Sequence, residues 1–165
     1  MRRPQAKLFP RQKGMVLMVS LVFLLLLSML GVSSMQNATL QEKMAGSLTY
    51  RNQSFQTAEA VLRAAESTIT AAGFTLPACT YCLPPPESTK VAASGVVGGS
   101  GSSSGLSWIA WGQGYYVIQN LGQTKSPITL PSVCSAGTTV TLYRVTAVSS
   151  MGTSMSVLES VYATC

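Results

Sequence analysis

The chain has 165 residues, with eleven basic and five acidic side chains, a formal net charge of +6 at pH 7 and no histidine. All five acidic residues are glutamates, so the sequence lacks both His and Asp. This excludes Ser-His-Asp and Cys-His catalysis, His-ligated zinc and EF-hand calcium loops. Glu59, Arg63 and Glu66 have the spacing of ion pairs on a helix surface. We therefore predict that the protein is not an enzyme and has no catalytic, cofactor-binding or metal-binding residues.

An apolar run from Met15 to Val32 contains 18 residues without a charge. As a helix it would span about 27 Å, which is enough to cross the hydrocarbon core of a membrane. Five basic residues precede the run, and the next basic residue is Lys43. Because positive charge stays in the cytoplasm, we predict a single membrane-spanning segment over 15–35 with the amino terminus inside and the rest of the chain exported.

Three interpretations of this run remain open on the residues alone. It could be a secretory signal that is removed after the small residues Gly31 to Ser33, although its apolar region is longer than such signals usually have. It could be a permanent anchor of an exported domain. The third possibility is a basic leader, residues 1–14, that is cut between Gly14 and Met15 and leaves the apolar helix as the new amino terminus.

The third interpretation coincides with a family resemblance. A short basic leader that ends in Gly14, directly before an apolar helix, resembles the prepilin signal of type IV pilins and type II secretion pseudopilins. The region that follows is similar to the amino-terminal signature of the PilX-type minor pilins, and the similarity lies in residues 30–35, 40–46, 51, 55–56, 58–60 and 62–66. The carboxy-terminal half resembles that family only weakly, at 143–147 and 158–160.

The helical pattern continues beyond the membrane segment. Apolar residues recur at spacings of three, four or seven and form one stripe: Leu40, Met44, Leu48, Phe55, Ala58, Leu62, Ala65 and Ile69. No proline occurs between Met15 and Phe74, so we predict one long helix whose amphipathic half covers 36–72. Gly73 is the predicted stop.

A head of residues 73–165 is predicted to follow the helix. Its first part, 77–107, is rich in Pro, Gly and Ser and is interpreted as a loop. The aromatic residues 108, 111, 115 and 116 are expected to pack in the core. Strands are predicted over about 115–121, 140–149 and 154–163. An antiparallel sheet on the second half of the helix gives an α+β fold, the pilin fold.

The four cysteines follow the membrane segment and so belong to an oxidising compartment, where structural disulfides are the better interpretation than a redox pair or half a zinc site. If residues 150–153 form the turn between the last two strands, Val140 lies opposite Ala163. Cys134 can then reach Cys165, and we predict this bond, with Cys79 and Cys82 paired by remainder.

The resemblance implies a minor pilin of the type IV pilus that helps to prime assembly. Most pilins have Glu as the fifth residue of the mature chain, where this sequence has Val19. Val19 is either just another membrane residue or, as we predict, a sign that the chain is incorporated at or near the fibre tip. The resemblance also implies cleavage after Gly14 by prepilin peptidase and methylation of Met15. The implied partners are other minor pilins, the major pilin, a tip adhesin and the inner-membrane assembly platform. Without the leader the balance of charge is +1, so no nucleic-acid partner is expected. The alternatives are a pseudopilin of type II secretion and a plain membrane-anchored periplasmic protein.

Overall fold

The computed structural model describes residues 14–98 and 103–165. The chain forms two compact units, one ending at Ala45 and the other running from Gly46 to Cys165. A single helix, α1, spans Met15–Ile69 and therefore contributes to both units. The predicted long amino-terminal helix is confirmed.

The first unit consists of exposed helix in its described part. Every residue from Gly14 to Ala45 is exposed. The two hydroxyls within the apolar run donate hydrogen bonds to the helix backbone, Ser20 to the Leu17 carbonyl at 2.9 Å and Ser28 to the Leu25 carbonyl at 2.8 Å. Because these polar groups are satisfied inside the helix, they do not oppose an apolar environment as free hydroxyls would.

In the second unit, one face of α1 packs on a sheet. The buried helix residues recur at spacings of three or four and are Ser54, Ala58, Val61, Ala65 and Ile69. Two hydroxyl contacts accompany this packing: Ser54 Oγ lies 2.8 Å from Ser156 Oγ, and Ser160 Oγ donates to Glu66 Oε1 at 2.6 Å. The small side chains on this helix face allow the helix to lie close to the sheet.

The sheet has five antiparallel strands in sequence order, so each strand is hydrogen-bonded to its neighbours in the chain. Its strands are β1 (Gly95–Val96), β2 (Ser107–Trp111), β3 (Gly114–Thr124), β4 (Val140–Met151) and β5 (Ser154–Thr164). The predicted α+β fold, a long helix packed on an antiparallel sheet, is confirmed. An added Cβ at Gly114 would lie 2.8 Å from Val61 Cγ2 and 2.5 Å from the Val148 carbonyl oxygen, so this position requires glycine.

The register of the last hairpin differs from the expected one. Leu142, rather than Val140, lies opposite Ala163. The strands stay paired up to Met151 and Ser154, which leaves a two-residue loop. Gly152 occupies the first loop position with φ of 58°, a left-handed conformation that glycine adopts without strain. The turn is therefore tighter than the four-residue turn at 150–153 that the sequence suggested.

Each face of the sheet carries a core cluster. The face turned away from the helix carries a second core cluster, formed by Val91, Trp108, Val117 and Val148. A 3₁₀ helix, Pro86–Lys90, lies within residues 77–107, where the composition predicts a loop, as do β1 and the start of β2. Trp108 is thus buried as expected, whereas Trp111 is 48% exposed.

The end of α1 also differs slightly from the prediction. The α-helix ends at Ile69, three residues before Ala72. The chain then tightens, because the Ala71 amide donates to the Thr68 carbonyl at 3.3 Å, which is the i to i+3 pattern of a narrower turn. Gly73 follows with φ of 82°.

Candidate functional site

The predicted cleavage site lies at the start of α1. Gly14 is an exposed turn residue, and Met15 is the first residue of the helix. A Cβ built on Gly14 would meet no atom of the described residues within 4 Å. The backbone of this junction is therefore open to an enzyme from the side where a side chain would otherwise project. The remaining leader residues, 1–13, lie outside the described part of the chain.

The apolar helix that begins at Met15 is the second part of this candidate site. Of the described helices, α1 is long and apolar enough to cross a membrane. Val19, the fifth residue after Gly14, is 50% exposed within its unit. The first turn of α1 contains no acidic residue. Between Met15 and Val32 the polar side chains are those of Ser20 and Ser28, and both donate to their own helix backbone.

In the head, the four cysteines lie in the two pairs that the sequence predicts. The Cys134 and Cys165 sulfurs are 2.08 Å apart, with Cα atoms separated by 5.9 Å. The Cα atoms of Cys79 and Cys82 are 5.4 Å apart. Cys165 directly follows β5, and Cys134 lies in the connection between β3 and β4. The first pair would therefore fix this connection to the end of the sheet.

The Cys79–Cys82 segment is also held by the sheet. Gln119 Nε2 donates to the carbonyls of Tyr81, at 2.7 Å, and Leu83, at 3.1 Å. Arg144 Nη1 donates to the Cys82 carbonyl at 2.5 Å. Because β3 and β4 bind three successive carbonyls, the position of this segment does not depend on the disulfide alone.

The start of the Cys79–Cys82 segment is fixed by a bulge in β3. The register with β4 shifts between Asn120 and Gly122, where the Gly122 amide donates to Asn120 Oδ1 at 2.8 Å. The same asparagine donates from Nδ2 to the Leu76 carbonyl at 2.6 Å and accepts the Cys79 amide on its own carbonyl at 2.8 Å. One residue thus connects the sheet to the segment that crosses its outer face.

A buried carboxylate organises the rest of that crossing segment. Glu87, in the 3₁₀ helix, is 2% exposed. It accepts hydrogen bonds from the Ser104 amide at 3.0 Å, from the Ser104 hydroxyl and from Trp108 Nε1 at 3.4 Å. Burial raises the pKa of Glu87, but the hydrogen bonds from Ser104 and Trp108 outweigh it and leave the pKa below its ordinary value. The carboxylate therefore stays ionised and ties the 3₁₀ helix to β2.

The ionised form of Glu87 is expected to stabilise the head. Because its pKa is lowered by folding, this contribution is present above the unfolded-state pKa and is lost as the pH falls through the folded-state pKa. Glu87→Gln should therefore lower the free energy of unfolding by about 2 kcal/mol at pH 7, and the difference should vanish in acid. Urea unfolding of the full chain in detergent micelles, repeated at a series of pH values from 7 downwards, measures this difference in the free energy of unfolding. Glu42→Gln, at an exposed helix position, is the control and should change nothing. A difference that persists at low pH would contradict the role of the charge.

Sequence reasoning did not identify Glu87. Its partners follow it by 17 and 21 residues, and no periodic pattern links a glutamate in a proline-rich segment to a serine and a tryptophan. A signal was nevertheless present, since Glu87 is the one acidic residue in the sequence between Ser67 and Leu158. In residues 14–98 and 103–165, no group of three or more His, Cys, Asp or Glu residues could hold a metal ion.

Residues 13–63 match the family model described as PilX N-terminal. This match confirms the resemblance to PilX-type pilins that the amino-terminal motifs indicate. No curated protein and no solved structure matches the chain. The matched range includes the Gly14–Met15 junction, the apolar run and the first part of the helix that packs on the sheet.

Proposed function

We propose that this chain, which carries the PilX N-terminal region of type IV pilins over residues 13–63, is a minor pilin of the type IV pilus. The observation that carries the proposal is the arrangement at the start of that region, where a basic leader ends in glycine directly before an exposed apolar helix. The α+β head built on the second half of the same helix supports it further.

The first step in this function is maturation. Prepilin peptidase removes residues 1–14 by cutting between Gly14 and Met15, and the new amino group of Met15 is methylated. The open space around Gly14 and the start of the helix at Met15 support this step, because the cut then leaves a complete helix without a preceding tail.

The matured subunit has two successive environments. In the inner membrane the segment 15–35 spans the bilayer once, with its amino terminus in the cytoplasm and the head in the periplasm. In the fibre the same apolar surface packs among the helices of other subunits, which replace the lipid. The absence of buried residues between Met15 and Ala45 within this chain supports such a change of partner, since this surface is not needed by the protein's own core.

Val19 supports a position at or near the fibre tip. Most pilins have Glu as the fifth residue of the mature chain, where it attracts the amino terminus of the subunit already in place. A Glu at that depth opposes membrane insertion by about 2–3.5 kcal/mol, so it needs this partner. A subunit with Val19 lacks the attraction, which costs assembly nothing if no subunit lies beyond it. The chain then enters first, helps to prime assembly with other minor pilins and the assembly platform, and meets a tip adhesin.

Sheared fibres test this proposal directly. We expect the protein to be present in few copies relative to the major pilin, and gold-labelled antibody against the head should mark fibre ends. Abundant label along the shaft would contradict the tip position. A deletion strain that keeps its pili but loses protein secretion would contradict the pilus function itself and indicate a secretion pseudopilin.

A further inference from the structure

The outer edge of β5 is the longest open strand edge in the described part of the head. β5 pairs with β4 from Ser154 to Thr164, along its whole length. No described residue pairs with its other side, since β5 is the last strand in the order of the sheet. A row of backbone amides and carbonyls along this strand therefore faces outwards.

This edge lacks the features by which proteins usually prevent strand pairing. β5 contains no proline and no lysine, and its register with β4 is regular throughout. Its one charged residue, Glu159, is bound by Arg144 Nε at 2.9 Å on the face turned away from the helix. By contrast, the opposite edge of the sheet is the two-residue strand β1. The β3–β4 connection lies beside the carboxy-terminal end of β5, where Cys134 bonds Cys165, and the edge before that end is a template for another strand.

The side chains of β5 indicate which residues an added strand would need on one of its faces. Three apolar residues of β5 are exposed on the face turned away from the helix: Met155 at 39%, Val157 at 37% and Val161 at 56%. An added strand places alternate side chains next to them. Apolar residues at every second position of that strand would be buried against this row.

On the face of the sheet that packs on the helix, a negative charge lies beside the edge and favours a positive charge on an added strand. Glu66 is held at β5 by the Ser160 hydroxyl. The neighbouring carboxylates are neutralised, Glu59 by Arg63 and Glu159 by Arg144. Glu66 has no ion pair among the described residues, so one negative charge beside the edge is uncompensated.

We propose that the outer edge of β5 binds an extended segment of a partner protein by strand addition. The segment has apolar residues that pack on Val157 and Val161, and on its other face it has a Lys or Arg that pairs with Glu66. The backbone hydrogen bonds provide affinity, and the apolar row and the charge provide register and selectivity. This binding does not require the pilus function to be correct.

A peptide probe tests the proposal on the full chain in detergent micelles. The probe is a set of nine-residue peptides with valine on one face, threonine on the other, and one lysine moved through the threonine positions. The best peptide is added at a concentration ten times its dissociation constant. Amide hydrogen exchange in 154–164 should then slow about tenfold, while exchange in α1 stays unchanged. The same peptide with N-methyl groups on the amides of one edge is the matched control. It should protect nothing when the methylated edge is the one that must face β5.

Charge reversal tests the role of Glu66. In Glu66→Lys, the lysine peptide should bind about two- to fivefold more weakly, as expected for a half-exposed ion pair, and a glutamate version should regain affinity. Glu66→Gln should weaken the lysine peptide without favouring the glutamate version. Val161→Lys should abolish protection of β5 by the peptide, while Val96→Lys on the opposite sheet edge should not.

Two outcomes would overturn the proposal. One is unchanged exchange in 154–164 with every peptide of the set at its highest soluble concentration. The other is protection of 154–164 that rises with protein concentration in the absence of peptide, because a second copy of this chain would then occupy the edge.

Discussion

Replacing Gly14 with valine is expected to leave the chain at full length in the membrane. A protease that cuts beside this residue must bring the backbone into its site, and a branched side chain at that position blocks the approach. The substitution should not disturb the fold, because a Cβ on Gly14 meets no atom of residues 14–98 and 103–165 within 4 Å. Failure to mature would therefore report on the protease and not on misfolding.

Amino-terminal sequencing and the intact mass of the membrane-extracted protein measure this result. The unaltered chain should begin at Met15, and the Gly14→Val chain should retain residues 1–14. Gly31→Val is the matched control, since Gly31 also lies in open space and belongs to the same apolar helix. That variant should mature normally. A Gly14→Val protein that begins at Met15 would contradict the prepilin interpretation.

Removing the Cys134–Cys165 pair is expected to have the largest effect on the stability of the head. The two residues are 31 apart in sequence. Closing a loop of that length stabilises a protein by about 3–4 kcal/mol in the chain-entropy model. Cys134→Ser combined with Cys165→Ser should lower the free energy of unfolding by this amount, measured by urea unfolding in detergent micelles.

The other cysteine pair provides an internal comparison. Cys79 and Cys82 are three residues apart, and the segment between them is also held by Gln119 and Arg144. Replacing both of these cysteines with serine should lower the free energy of unfolding by about 2 kcal/mol or less, because a short loop has little closure entropy. Peptide mapping without reduction should find the two pairs as predicted. A fragment that links Cys82 to Cys165 would contradict the assignment.

Elements with a strong periodic pattern could be predicted from the sequence. α1 follows from an apolar run without proline that passes into a stripe at helical spacing, and β4 follows from a β-branched, alternating stretch beginning at Val140. In both cases the pattern extends over many residues, so local propensity and burial favour the same structure.

Features that depend on single contacts were not predictable in the same way. The predicted register of the last hairpin is wrong by two residues, because Gly152 indicates a turn without fixing its length, and only the pairing of Met151 with Ser154 limits the loop to two residues. The short elements between Pro86 and Trp111 are joined to one another by the hydrogen bonds of Glu87 with Ser104 and Trp108. Such contacts between residues far apart in sequence leave no periodic signal.

The pairing of Ser54 with Ser156 across 102 residues has a consequence for the time course of biosynthesis. At about 5–20 residues per second, β5 leaves the ribosome roughly 5 to 20 seconds after the helix that it must meet. The strands of the sheet, in contrast, follow one another in sequence and can form hairpins as they emerge. During that interval the helix face with Ala58, Val61 and Ala65 has no sheet to pack on. A shortened chain that ends before β5 would leave this helix face without part of its sheet, and we expect it to be exposed to quality-control proteases.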